Sequence, residues 1–256
     1  MDSFSFNYAA VCSPGLHREK NQDNLWCGGV YLECENNGLA KTIHGSEDAE
    51  KQPIFAVFDG LGGETDGEQA AWIAAFTFDR FLVNRINKCR KTFLREAFDS
   101  MNDAVCSYAI SNRINQMGAT AVVLFIKENV VSVCNLGDSR AYLYRKGELT
   151  LLSKDHVSRF ESAGKPYLTQ FLGISQDEFM IEPFVYEIAF RKGDRYLLCS
   201  DGLTDMVSET EISSVLSLYD RPARVAENLL KAALAAGGRD NITVITCDVI
   251  AGQNGS

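Results

Sequence analysis

Five short runs of almost unbroken apolar residues constrain this chain more than any other feature: residues 54–58 (IFAVF), 121–126 (AVVLFI), 130–136 (VVSVCNL), 196–199 (YLLC) and 242–249 (ITVITCDV). Runs of this length, apolar at successive rather than alternate positions, mark strands covered on both faces, and the last is rich in β-branched residues. A fold holding several such strands must supply a covering layer on each side of them. Residues 4–11 show partial alternation, and residues 140–144 and 149–152 flank Lys146-Gly147-Glu148, a hairpin signal.

The covering layers are legible as helical periodicity. Residues 68–83 place Ala70, Ile73, Ala74, Phe78, Phe81 and Leu82 on one stripe, and residues 91–110 do the same with Leu94, Ala97, Phe98, Met101, Val105 and Tyr108. Ser208-x-x-Glu211 forms a capping box ahead of Ile212, Val215 and Leu216. Pro222 suits the first turn of a helix carrying Val225, Leu229, Leu230 and Ala233, which Gly237-Gly238 would end. Residues 35–52 are polar and aperiodic and read as a long surface loop, and residues 251–256 as a frayed tail. Strands, two long helices, more strands, then helices and a final strand give an α+β architecture with antiparallel sheet and outer helices, in one domain over residues 1–256. No Gly-x-Gly-x-x-Gly follows the first strand, which excludes a dinucleotide-binding alternation.

Charge and composition remove several function classes. Lys plus Arg number 25 against 34 Asp plus Glu, a formal charge of −9, which argues against binding nucleic acid. No run of about 18 uncharged apolar residues is present, so no membrane span is expected. The start Met1-Asp2-Ser3-Phe4 lacks the layout of a signal peptide, and Asp2 excludes N-myristoylation. Eight cysteines without a Cys-x-x-Cys pair read as reduced thiols of a cytoplasmic protein. Three widely separated histidines argue against a histidine zinc site.

The buried strands end on acid. Residues 54–58 run into Asp59-Gly60, residues 130–136 into Gly137-Asp138, and residues 196–199 into Ser200-Asp201-Gly202, while the last strand follows Asp240-Asn241. Any one such pair is an ordinary turn dipeptide. Four together, if the sheets stack so that these ends meet, would bring carboxylates close enough to raise each other's pKa or to demand a counter-cation. An oxygen-only donor set selects Mg²⁺, Mn²⁺ or Ca²⁺.

In order along the chain stand Arg18-x-x-Asn21-Gln22-Asp23, Phe58-Asp59-Gly60-Leu61-Gly62-Gly63, Gly118-Ala119-Thr120-Ala121, Asn135-Leu136-Gly137-Asp138-Ser139-Arg140, Cys199-Ser200-Asp201-Gly202-Leu203 and Arg239-Asp240-Asn241-Ile242-Thr243. This series resembles the metal-dependent serine/threonine protein phosphatases of type 2C in their bacterial form, over about residues 5–249. The resemblance implies a four-layer α-β-β-α sandwich of two antiparallel sheets flanked by helices. It implies hydrolysis of phosphoserine and phosphothreonine in proteins through a binuclear Mg²⁺ or Mn²⁺ centre and a metal-activated water. Asp59 would bridge two ions, Gly60 would offer its carbonyl to one, and Asp201 with Asp240 would hold the other. Asp138 with Asp201 would hold a third, weaker ion, Asp23 would hydrogen-bond a water on the metal, and Arg18 would grip the substrate phosphate. Phosphorylated proteins, and a cognate Ser/Thr kinase in the same cell, are the partners implied.

The chain departs from the family at three places. Gln22 stands where Glu is usual, which implies weaker affinity at one metal site. Leu61 replaces the histidine of eukaryotic members, leaving a metal-bound water as proton donor. Residues 157–167 make a shorter flap than the family's, which leaves substrate selectivity and the third ion open. His156 is expected to anchor a loop, Arg140 to pair with a carboxylate, and Gly62-Gly63 and Gly118 to serve tight turns. Cys199 has no Arg five residues on, unlike cysteine-based phosphatases. Two other readings stay open at this level: a catalytically weak relative acting as a phosphoprotein-binding or signalling module, and a hydrolase of small phosphoesters.

Overall fold

The computed structural model describes residues 3–61, 66–83, 89–162, 165–175 and 179–252; Gly62, Gly63 and residues 253–256 lie outside them. The strands are β1 (Phe4–Ser13), β2 (Asp23–Cys27), β3 (Ile43–Asp48), β4 (Ile54–Leu61), β5 (Gly118–Ala119), β6 (Ala121–Lys127), β7 (Val130–Leu136), β8 (Arg140–Arg145), β9 (Glu148–Leu151), β10 (Val157–Ser162), β11 (Lys165–Leu168), β12 (Phe184–Ala189), β13 (Arg195–Cys199) and β14 (Ile242–Ala251). The helices are α1 (Gly67–Val83), α2 (Arg90–Asn112), α3 (Asp201–Thr204), α4 (Glu209–Leu218) and α5 (Pro222–Ala235).

Side-chain alternation decides the layering. In β4, Ile54, Ala56 and Phe58 face one apolar cluster with α1 and α2, while Phe55 and Val57 face a second. In β14, Ile245, Cys247 and Val249 join that second cluster, whereas Ile242 and Val244 turn to a third with α3, α4 and α5. Both faces of each central strand are therefore buried, and the apolar runs could not have been placed at a surface. Two antiparallel sheets result, in the orders β3-β1-β14-β13-β8-β9 and β12-β7-β6-β4-β2, the second with β5 added on β4. Helices cover the outer face of each, giving the expected α-β-β-α sandwich. Fully buried Phe78, Phe98 and Met101 fasten α1 and α2 to their sheet, each such side chain contributing on the order of 2 kcal/mol.

The helix signals hold at the start of the last two helices and at the end of α5. Ser208 caps α4 through a reciprocal capping box with Glu211, and α5 begins on Pro222. The Gly238 N–H then closes on the Ala233 carbonyl beyond the last helical residue. No helix among the described residues is long and apolar enough to cross a membrane.

Three expectations change. Residues 35–52 are not all loop: β3 and a 3-10 turn over Ala49–Lys51 lie inside them. β3 is an edge strand paired only with β1, so it needs no apolar run and its polar sequence hid it. Asp59-Gly60 is not a turn after β4 but part of the strand, because Gly60 pairs with Ala119 and its N–H meets the Gln22 carbonyl at 3.0 Å. Residue 251 is not frayed, since Ala251 pairs with Phe4 and the Gly252 N–H reaches the Ser3 carbonyl at 2.7 Å; the rest of that expectation lies outside the described residues.

Candidate functional site

The two sheets meet at one lip of the sandwich, and the acidic positions gather there. On the second sheet, β2 and β4 pair so that Asp23 lies directly opposite Asp59, on the faces that Leu25 and Val57 turn toward the inter-sheet core. On the first sheet, Asp201 opens α3 immediately after β13, and Asp240 stands two residues before β14. Gly202 lets α3 start against that strand, for a Cβ there would fall 1.9 Å from the Asn241 carbonyl oxygen. Asp138 enters from the turn between β7 and β8.

Electrostatics tie these groups together. The Asp59 carboxyl is raised well above its ordinary value, first by burial and then by Asp23, Asp201, Asp138 and Asp240. Asp23, 1% exposed, is likewise raised, chiefly by burial, with Asp201 and Asp240 adding to it and hydrogen bonds from Thr243 and Ser200 opposing it. Burial and the neighbouring Asp201, Asp155 and Asp205 push Asp138 up to about 7. Negative charge has thus been accumulated at this lip, and the groups pay for it in protonation.

Arg18 is the basic group set among them. Its Nε and Nη2 donate to Asp240 Oδ1 at 2.9 Å and Oδ2 at 2.6 Å, with its side chain 48% exposed, and it also feels Asp201 and Asp59. The loop that carries it is stitched down by Asn241, whose Nδ2 donates to the carbonyls of Pro14 and Lys20 and whose Oδ1 accepts the Gln22 N–H. The Gln22 carbonyl in turn holds Gly60.

Among the described residues no three His, Cys, Asp or Glu side chains close on one metal-sized point, and Asp240 is turned to Arg18. Three features nevertheless suit hard cations. Asp23 Oδ1 is buried and has no hydrogen-bond partner among the described residues. Gly60 lies where a Cβ would stand 2.0 Å from the Gly67 carbonyl oxygen and 2.7 Å from that of Gln22, so only glycine lets the strand backbone pack this close to these oxygens. The donors are all oxygens, and Mg²⁺ in particular takes one or two carboxylates and keeps several waters rather than needing a closed protein cage.

The residues flagged as departures also have places. Gln22 Nε2 donates to Glu68 Oε2 at 3.2 Å. His156 anchors a loop: its N–H donates to the Gly137 carbonyl and its Nδ1 accepts the Gly137 N–H at 3.2 Å. Arg140 forms a bidentate pair with Asp155. The short flap is the hairpin β10–β11, closed at its base by the Thr169 N–H on the His156 carbonyl.

Sequence reasoning assigned no role to Ser200 and Thr243, although both lie inside quoted motifs. Their hydroxyls each donate to Asp23 Oδ2 at 2.7 Å. The signal was available for Thr243, which falls on the same face of its strand as Ile245 and Cys247 and so had to place a polar atom in the inter-sheet core.

Comparison with known proteins matches the fold. A family model described as protein phosphatase 2C matches residues 42–236. The serine/threonine phosphatase stp of Listeria monocytogenes is 30% identical over 251 residues, covering 90% of this chain and 91% of its own. The serine/threonine protein phosphatase PstP of Mycobacterium tuberculosis is 29% identical, covering 95% of this chain and 45% of its own length. The crystal structure of the PstP catalytic domain with two manganese ions superposes with a TM-score of 0.76 at 28% identity, covering 96% of this chain and 99% of that one.

Proposed function

The chain belongs to the protein phosphatase 2C family, and from that membership we propose that it hydrolyses phosphoserine and phosphothreonine in proteins at the carboxylate lip, with two Mg²⁺ or Mn²⁺ ions. The observation that carries this reading is the gathering of carboxylates at one lip: Asp23 lies opposite Asp59, and burial first, then Asp23, Asp201, Asp138 and Asp240, raise the Asp59 carboxyl, a cluster of charge that divalent cations would offset. Asp59 would contact both ions, the Gly60 carbonyl one of them, and Asp201 with Asp240 the other. Asp138 with Asp201 would serve a third. When bound, such ions supply a polarised water as nucleophile and charge stabilisation for the phosphoryl group.

The chain's own residues do the rest. Asp23 presents Oδ1 as a fixed acceptor that orients water at the lip, since Oδ2 is held from behind by Ser200 and Thr243. Arg18 has five N–H donors and spends two on Asp240, so others remain for phosphate oxygens at the solvent side. The phosphoproteins would be those of a Ser/Thr kinase whose product this enzyme reverses, and the setting would be cytoplasmic.

An aryl phosphate assay tests the reading. Turnover is expected with added Mn²⁺ and none in excess EDTA; hydrolysis that survives chelation would overturn it. Arg18→Ala is expected to raise KM more than it lowers kcat in the same assay, as loss of ground-state phosphate binding does. A pure kcat loss would place Arg18 on the transition state instead.

A further inference from the structure

The lip is split between two sheets: Asp23, Asp59 and Gly60 belong to the second sheet, while Asp201 and Asp240 flank strands of the first. Whatever fixes the distance between the sheets at this edge fixes the spacing of the two halves. Packing alone does so loosely, because apolar contacts are non-directional.

Beside the bond from the Gln22 N–H to Asn241 Oδ1, a buried directional contact crosses the gap here. Ser200 and Thr243, both from the first sheet's side, donate to the same oxygen of Asp23 on the second, each at 2.7 Å. All three residues are buried, Ser200 and Thr243 at 0% exposure and Asp23 at 1%. The two donors are themselves fixed, since the Thr243 N–H donates to Ser200 Oγ at 3.0 Å. Thr243 Oγ1 also lies 3.2 Å from Cys12 Sγ. A hydroxyl carries one proton, and the short charge-assisted bond to Asp23 claims it. The Cys12 thiol, kept protonated by burial, is then the donor to Thr243, and Asn21 Nδ2 meets its sulfur at 3.2 Å. Ser200 precedes Asp201, and Thr243 lies three residues after Asp240, so the clasp sits inside the segments that deliver both first-sheet carboxylates.

We propose that Ser200 and Thr243 are positioning residues that clasp the two sheets at Asp23, setting the separation of the two half-sites and aiming Asp23 Oδ1 into the space between them. This rests on the metal-site reading above. The clasp acts through Asp23, not on substrate, so it governs metal affinity and kcat and leaves phosphate binding by Arg18 untouched.

Two substitutions separate the hydroxyl from the methyl. Thr243→Val keeps the shape and removes the donor; Thr243→Ser keeps the donor and loses the methyl. Mn²⁺ titration by calorimetry is the primary measurement, with kcat, KM and thermal unfolding in EDTA beside it. Thr243→Val is expected to weaken Mn²⁺ binding by about 10-fold or more, the scale seen when a group orienting a ligand is lost, and to lower kcat with KM unchanged. Thr243→Ser should stay within about twofold of the parent for Mn²⁺ affinity, a rescue that a purely structural role would not give. Should Thr243→Val not fold, Ser200→Ala reads the same contact from its other donor and is expected to show the same loss. Parent-like Mn²⁺ affinity in the folded donor-less variant, or equal loss in Thr243→Ser, would overturn the clasp. Failure of the parent protein itself to bind Mn²⁺ would instead overturn the metal site.

Discussion

Asp201→Asn and Asp240→Ala are each expected to lower kcat by about 10³-fold while leaving the fold intact. A metal ion supplies several kcal/mol of transition-state stabilisation, and roughly 4 kcal/mol corresponds to that factor. Little stability is at stake in either change. Asn keeps the shape of Asp201, and the Asp240 pair with Arg18 lies at a half-exposed rim, where an ion pair contributes at most about 1 kcal/mol. Steady-state kinetics with saturating Mn²⁺, alongside thermal unfolding in EDTA, read both quantities. Turnover preserved in either folded variant would remove that residue from the metal assignment. Asp240→Ala carries a second signature, because it also releases Arg18 from its carboxylate.

The metal-free protein is expected to gain stability as pH falls from about 8 to about 6.5. The sign follows from proton counts. Asp138 is pushed up to about 7 from an ordinary 3.8, and Asp23 and Asp59 are raised as well. Between those values the folded chain binds more protons than the unfolded one, so acidification through the folded pKa favours folding. One group titrating near 7 contributes roughly 1 kcal/mol over this interval, and together the cluster shifts Tm by several degrees. Below 6.5 the gain is opposed by His156, which burial holds neutral. Scanning calorimetry in EDTA at the two pH values is the measurement, and a lower Tm at pH 6.5 than at pH 8 would contradict it. Asp59→Asn, which removes the most crowded charge, should raise the metal-free Tm at pH 8 and flatten the pH dependence while abolishing turnover.

The interior of the sandwich was legible because burial on both faces writes itself into a strand as a continuous apolar run. β4, β6, β7, β13 and β14 all announce themselves this way. β3 and β12 sit at sheet edges, and neither carries a run of fully buried side chains, so sequence alone passed over them. The site was legible where chemistry is concentrated at strand ends, as at Asp59, Asp138, Asp201 and Asp240. It was opaque where partners are joined only by the fold. Nothing local ties Arg18 to Asp240, 222 positions away, or Ser200 to Asp23, 177 positions away. Gln22 reads as a weakened metal neighbour, but its side-chain amide is engaged by Glu68, which no spacing rule relates to it.

The central position of β14 has a consequence for the birth of the enzyme. β14 lies between β1 and β13, so Ser13 waits for Ile242 and Phe4 for Ala251. At roughly 5–20 residues per second of synthesis, that delay is on the order of 10 to 50 s, during which one edge of β1 has no strand to pair with. Asp240 and Thr243 arrive only at the end of the same interval. A ribosome-bound chain therefore carries an open, aggregation-prone edge until the moment its acidic lip can first assemble, and no chemistry that needs Asp240 can precede the arrival of β14.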